Sequence, residues 1–182
     1  MNKFGKISIA IVAALALTLS MGAKDKPKKK AMAGAPGILQ PQMTVEGGSY
    51  DKPMGSIGSK PENAWTATTL GASVDGKPNM AKIVTMTGEI VDFSCYLQIG
   101  KHGEKHRSCG QKCFKNGQPI GLLTKEGNLY MLMDEEHDLR RDGMTDFRTA
   151  AIDHTAHIME VSGTLSEQAG VKAIYVQGFL KK

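Results

Sequence analysis

The sequence lacks the common signatures of hydrolytic and nucleotide chemistry. It has no Gly-x-Ser-x-Gly elbow, no His-Glu-x-x-His motif, no phosphate-binding glycine loop and no EF-hand loop. Beyond residue 23 no segment is long and apolar enough to cross a bilayer, which takes roughly 20 apolar residues. No twin arginine precedes the amino-terminal apolar run, which disfavours the folded-protein export route. No cysteine follows that run, which argues against a lipid anchor. There is no internal repeat. Cysteine is scarce as well: three residues, all between Cys95 and Cys113. Cys109 or Cys113 with His106 could form a nucleophile and base. Nothing in the sequence supplies the orienting group or oxyanion donors such a pair needs, so the expectation leans away from an enzyme.

What is present begins at the amino end. Lys3 and Lys6 precede an apolar run from Ile7 to Leu19, and the small residues Ser20, Gly22 and Ala23 follow. This pattern predicts a cleavable signal peptide over residues 1–23 and a periplasmic or secreted protein. The chain carries 23 Lys and Arg against 18 Asp and Glu, a net charge of +5. Setting aside Lys3 and Lys6 leaves +3, and residues 24–30, with five Lys and one Asp, account for +4 of it, so residues 31–182 carry −1. The basicity belongs to a short tail, either solvated or drawn to an anionic surface. A basic face for nucleic acid is not expected.

Residues 24–80 hold six of the seven prolines and many glycines. They read as a disordered or loosely packed linker. Trp65 is the exception, expected to tuck against the domain. The folded unit is expected over residues 81–182. There the apolar period is mostly two. Val84, Met86, Gly88 and Ile90 share one face of a first strand, with a bend or bulge at Gly88. Ile120–Thr124 and Leu129–Met133 read as a hairpin turning at residues 125–128. Short helices are expected at 138–141 and 145–151. A fourth strand alternates from His157 to Leu165, and a fifth covers 173–177 after a turn at Ala169-Gly170. The order and spacing resemble the OB fold, carried by Met86 to Asp92, Val161 to Leu165 and Lys172 to Val176. The fold class expected is mainly β: a small five-stranded OB-like barrel. It carries a short Cys/His-bearing helix after strand one and a helical insertion between strands three and four.

That connection after strand one carries the chemistry. If residues 104–115 are helical, His106, Cys109 and Cys113 fall at i, i+3 and i+7 on one stripe. Cys95, at the end of the preceding strand, can fold over it. Cys95, His106, Cys109 and Cys113 are therefore the candidate metal ligands, a set that suits zinc or copper. In an oxidising compartment a disulfide competes. Cβ atoms at i and i+4 on a helix are about 5–6 Å apart, too far for a bridge. A disulfide would therefore join Cys95 to Cys109 or Cys113, leaving one thiol over. Haem attachment is disfavoured because Phe114, not His, follows Cys113. His102 is expected in an exposed loop. His154 and His157 share one ion only if the chain turns between them. His137 reads as part of a solvated acidic turn. Met86, Met131, Met133 and Met159 read as core filler.

The stretch Gly88 to Leu123 resembles a group of small exported bacterial proteins. These share a Gly-Glu-x-Val-Asp strand (Gly88 to Asp92), a Cys-Tyr pair (Cys95-Tyr96), a His-x-x-Cys-x-x-x-Cys segment (His106 to Cys113) and a following Gly-x-Pro-x-Gly-Leu-Leu-Thr strand (Gly117 to Thr124). The resemblance implies that the cluster is a unit; it implies no reaction. Three expectations follow. The first is a non-catalytic metal-binding domain holding one zinc or copper ion. The second is a disulfide-stapled interaction module for a protein or envelope ligand. The third is a thiol redox protein.

Overall fold

The structure, a computed structural model, describes residues 47–134 and 143–178. The expected signal peptide, the lysine tail, Met32, Met43, His137 and the helix expected at 138–141 lie outside the described residues.

The strands are β1 (Ser56–Ile57), β2 (Ala81–Asp92), β3 (Ile120–Thr124), β4 (Leu129–Met133), β5 (Ile158–Gln168) and β6 (Val171–Val176). The helices are α1 (Ala67–Ala72), α2 (Phe93–Ile99), α3 (Arg107–Lys115) and α4 (Asp146–Asp153). β2 pairs antiparallel with β5 along 81–89 and with β3 along 88–92. β3 continues into β4 through the expected hairpin. β6 closes the sheet, running parallel to β4 and antiparallel to β5. The result is a closed five-stranded mixed barrel with β1 as an extra strand beside β5, the OB-like architecture expected from the strand order.

Gly88 stands where β2 leaves β5 for β3. A Cβ there would come within 2.8 Å of the Leu122 side chain and of the Leu123 carbonyl oxygen. Only glycine lets the two strands approach so closely at the bend. Ile90, Leu122, Leu132, Met159, Val161 and Ile174 fill the barrel. Phe114 of α3 and Phe147, Ala151 and Ile152 of α4 join the same core, so these helices cover one end. Gln111 Nε2 donates to the Ile152 carbonyl at 3.0 Å, and an Arg148 guanidinium nitrogen donates to the carbonyls of Phe114 and Gln118. Fully burying a side chain the size of Phe114 contributes about 1.5–3 kcal/mol. α3 is thereby fixed by its buried face, and its other face is free to present sulfur.

The linker expectation needs correcting for its second half. β1 pairs parallel with β5, and Ile57 is buried in the core. Tyr50 donates its hydroxyl to the Leu123 carbonyl, and Thr164 donates to the Ala64 carbonyl. Two-residue strands give no detectable alternation, which is why proline and glycine dominated the reading. Trp65 does pack: its ring meets Tyr175 edge-on at 5.4 Å, and its Nε1 donates to the Asn79 carbonyl. Among the described residues no helix is long and apolar enough to cross a membrane.

Candidate metal centre

The site is built where β2 ends. Asp92 is both the last residue of β2 and the N-cap of α2: its Oδ1 accepts the Cys95 backbone N–H at 3.0 Å. This cap satisfies one of the orphan donors of a helix start, and it fixes Cys95 beside the carboxylate. α2 ends at Gly100, which takes the left-handed conformation at φ 65° and donates its N–H to the Tyr96 carbonyl. The chain then turns back through a 3-10 turn at Glu104–His106 into α3. That return brings His106 over the start of α2. One oxygen of Asp92, Cys95 Sγ and a ring nitrogen of His106 all lie within 4.8 Å of one another.

Asp92 and His106 are 1% and 7% exposed. Asp92 Oδ2 and His106 Nε2 are both buried without a hydrogen-bond partner. Each such orphan costs about 1–3 kcal/mol. Both orphans belong to residues of the Asp92–Cys95–His106 group, which together offers oxygen, nitrogen and sulfur donors. Bonds of about 2.0–2.3 Å around a tetrahedral zinc hold ligand atoms roughly 3.3–3.8 Å apart.

All three cysteines are free thiols, Cys109 exposed and the other two half-buried. The Asp92 carboxylate is within hydrogen-bonding reach of Cys113. Together with burial and the carboxylate's charge, it pushes that thiol up to about 12. Cys95 also goes up, first from burial and then from Asp92, with Cys113 within hydrogen-bonding reach of its sulfur. Neither sulfur gives Oδ2 a well-formed bond. Metal binding here would displace thiol protons.

Of the four ligands expected from the sequence, Cys95 and His106 come together, and Cys113 lies against Asp92 and Cys95. Cys109 is on the same face of α3, three residues from His106, but stands at an exposed rim. Asp92 is the candidate ligand that the sequence reading missed. Its signal was present, since an Asp placed immediately before a helical stretch and three residues before Cys95 reads as an N-cap.

The other histidines have partners. His102, expected in an exposed loop, is half-buried: its Nδ1 lies 2.9 Å from Oε2 of Glu89, which raises its pKa. The Gly103 N–H donates to the other Glu89 oxygen. Tyr96 meets the His102 ring edge-on. His154 and His157 do share a turn, with Ala156 at φ 66°, and their Nδ1 atoms are 3.2 Å apart. Burial first, then Arg107 and His154, pull His157 down to about 4. The start of β5 does meet β2, with His157 accepting the Ile90 N–H and Ala156 donating to the Ile90 carbonyl.

No protein-family model, curated protein or solved structure matches this chain.

Proposed function

We propose that this protein is a non-catalytic, exported metal-binding domain whose site is Asp92, Cys95 and His106, with Cys113 as the adjoining fourth donor. The observation that carries this reading is that Asp92, Cys95 and His106 are brought together from different elements, and that two of them, Asp92 and His106, each hold a buried side-chain atom without a partner. A cation satisfies both at once. Zinc is the favoured ion among the two considered: it accepts carboxylate, imidazole and thiolate together, whereas copper(I) prefers purely soft donors. With Cys113 drawn in beside Asp92 and Cys95 as a fourth donor, the shell would be closed and tetrahedral, which suits binding or storage rather than catalysis.

A second reading keeps one specific observation on its side. The sulfurs of Cys95 and Cys113 are within hydrogen-bonding reach of each other, so an oxidising compartment could staple α2 to α3. The protein would then be an interaction module for an envelope partner. The deciding experiment is elemental analysis, with thiol counting by mass spectrometry, on the full chain exported with its own signal and purified without chelators. One equivalent of zinc and three free thiols support the metal reading. Less than about 0.1 equivalent of any transition metal, with a Cys95–Cys113 disulfide, would establish the second.

A further inference from the structure

Cys109 is left unexplained by a closed site of Asp92, Cys95, His106 and Cys113. It is not isolated. A cleft of about 280 Å³ opens beside the site, lined by Gly100, Lys101, His102, Lys105, His106 and Cys109. Two features of this cleft bear on the metal. His106, itself buried, forms part of the wall, so the cleft borders a candidate ligand of the inner site. Cys109 lies on the same helical stripe between His106 and Cys113, one turn from each. Cys109 is exposed and lines the cleft.

The charge of the cleft decides what can enter. Lys101 and Lys105 are exposed on its lining. Glu89 is taken up by His102 and Gly103. Glu104 lies 3.8 Å from Arg107. The lining carries two ammonium groups and no carboxylate, so a bare metal cation meets repulsion at the opening. A small anionic complex of the same metal meets attraction.

Resting on the metal reading above, we propose that this cleft is the loading port of the site. Lys101 and Lys105 hold a small anionic metal complex of the polycarboxylate class. Cys109 takes the ion from it and passes it inward to His106, Cys95 and Asp92. The transfer is ligand exchange and involves no redox step. A metal–carboxylate bond of the carrier breaks as the metal–Sγ bond to Cys109 forms, and the thiol proton leaves to the released carboxylate or to water. The Cys109 bond then breaks as the inner donors close on the ion, and the Cys95 and Cys113 thiol protons pass to the released Cys109 thiolate and to water. Zinc stays zinc(II) throughout. Cys109 is a transient ligand and not one of the resting set.

The test is time-resolved zinc loading of the metal-free, reduced full chain. One donor is zinc citrate, which is anionic; the other is a zinc–imidazole complex, which is cationic. Lys101→Ala with Lys105→Ala is expected to slow loading from citrate about tenfold while loading from the cationic imidazole complex speeds up. Cys109→Ser is expected to slow both about tenfold while the equilibrium zinc affinity moves less than about threefold. Loading of the variants at the wild-type rate from both donors overturns the port. So does a loss of affinity beyond about tenfold in Cys109→Ser, which makes Cys109 a permanent ligand. If the wild-type chain takes up no zinc from either donor, the metal reading itself fails, a result distinct from failure of the port alone.

Discussion

Glu89 and Asp92 sit three residues apart at the end of one strand, at 0% and 1% exposure. Both are carboxylates withdrawn from water, yet their surroundings differ. Glu89 has its oxygens occupied by the His102 ring and the Gly103 N–H. Asp92 spends Oδ1 on the α2 cap and leaves Oδ2 without a partner. A satisfied buried carboxylate holds structure together; here it clamps the 100–103 loop that leads to His106. An unsatisfied one beside an unsatisfied histidine is a place for something to bind. Burial alone does not separate the two roles; the inventory of partners does.

The contrast breaks first at Glu89. Glu89→Ala strands a half-buried His102 and the Gly103 N–H, and should cost about 3–5 kcal/mol of stability by urea denaturation of the metal-free protein. A cost under about 1 kcal/mol would mean that the clamp is not structural. Asp92→Asn sharpens the contrast from the other side. Asparagine caps helices as well as aspartate, so metal-free stability should change by less than about 1 kcal/mol. Zinc affinity should fall about a hundredfold, read by competition with a chelator. Equal loss of stability in the two variants would erase the distinction between clamp and site.

The histidines give smaller, opposed pH effects. His157 is held at about 4 against an ordinary 6.5, so the unfolded chain binds the extra proton between those values. Its contribution is present above about pH 6.5 and is lost as pH falls toward 4, by about 2–3 kcal/mol. His157→Gln should flatten that limb of the stability curve. His102 runs the other way. Its pKa is raised by Glu89, so its contribution is complete below the unfolded value and fades as pH rises through the folded one. His102→Gln should therefore cost more stability at pH 5.5 than at pH 8.5. A cost independent of pH would show that its bond to Glu89 does not depend on protonation.

Much of the barrel was legible because strand alternation survives in the sequence. The 120–133 hairpin, the Gly88 bend and the Ala169-Gly170 turn all carry local signals that the structure repeats. β1 was not legible, since two residues have no period and its partner lies a hundred positions away. The site was legible in part. The stripe His106, Cys109, Cys113 follows from helical spacing alone, whereas Cys95, expected at the end of the strand, stands in the first turn of α2 because Asp92 caps a helix there. Asp92 was overlooked because it reads as the last residue of a strand, and its unpartnered second oxygen is seen only in three dimensions. His102 was misplaced because its partner, Glu89, comes from the strand face that alternation leaves to polar residues. Only the returning loop buries that face.

Cobalt(II) titration of the reduced full chain tests the central claim most directly, because the spectrum reports geometry and ligand type together. One equivalent should give the intense absorption of tetrahedral cobalt with sulfur-to-metal charge transfer, and Asp92→Asn with His106→Ala should abolish saturable binding. A weak octahedral spectrum indistinguishable from cobalt in buffer, or a wild-type spectrum in that double variant, would contradict a metal centre built on Asp92, Cys95 and His106.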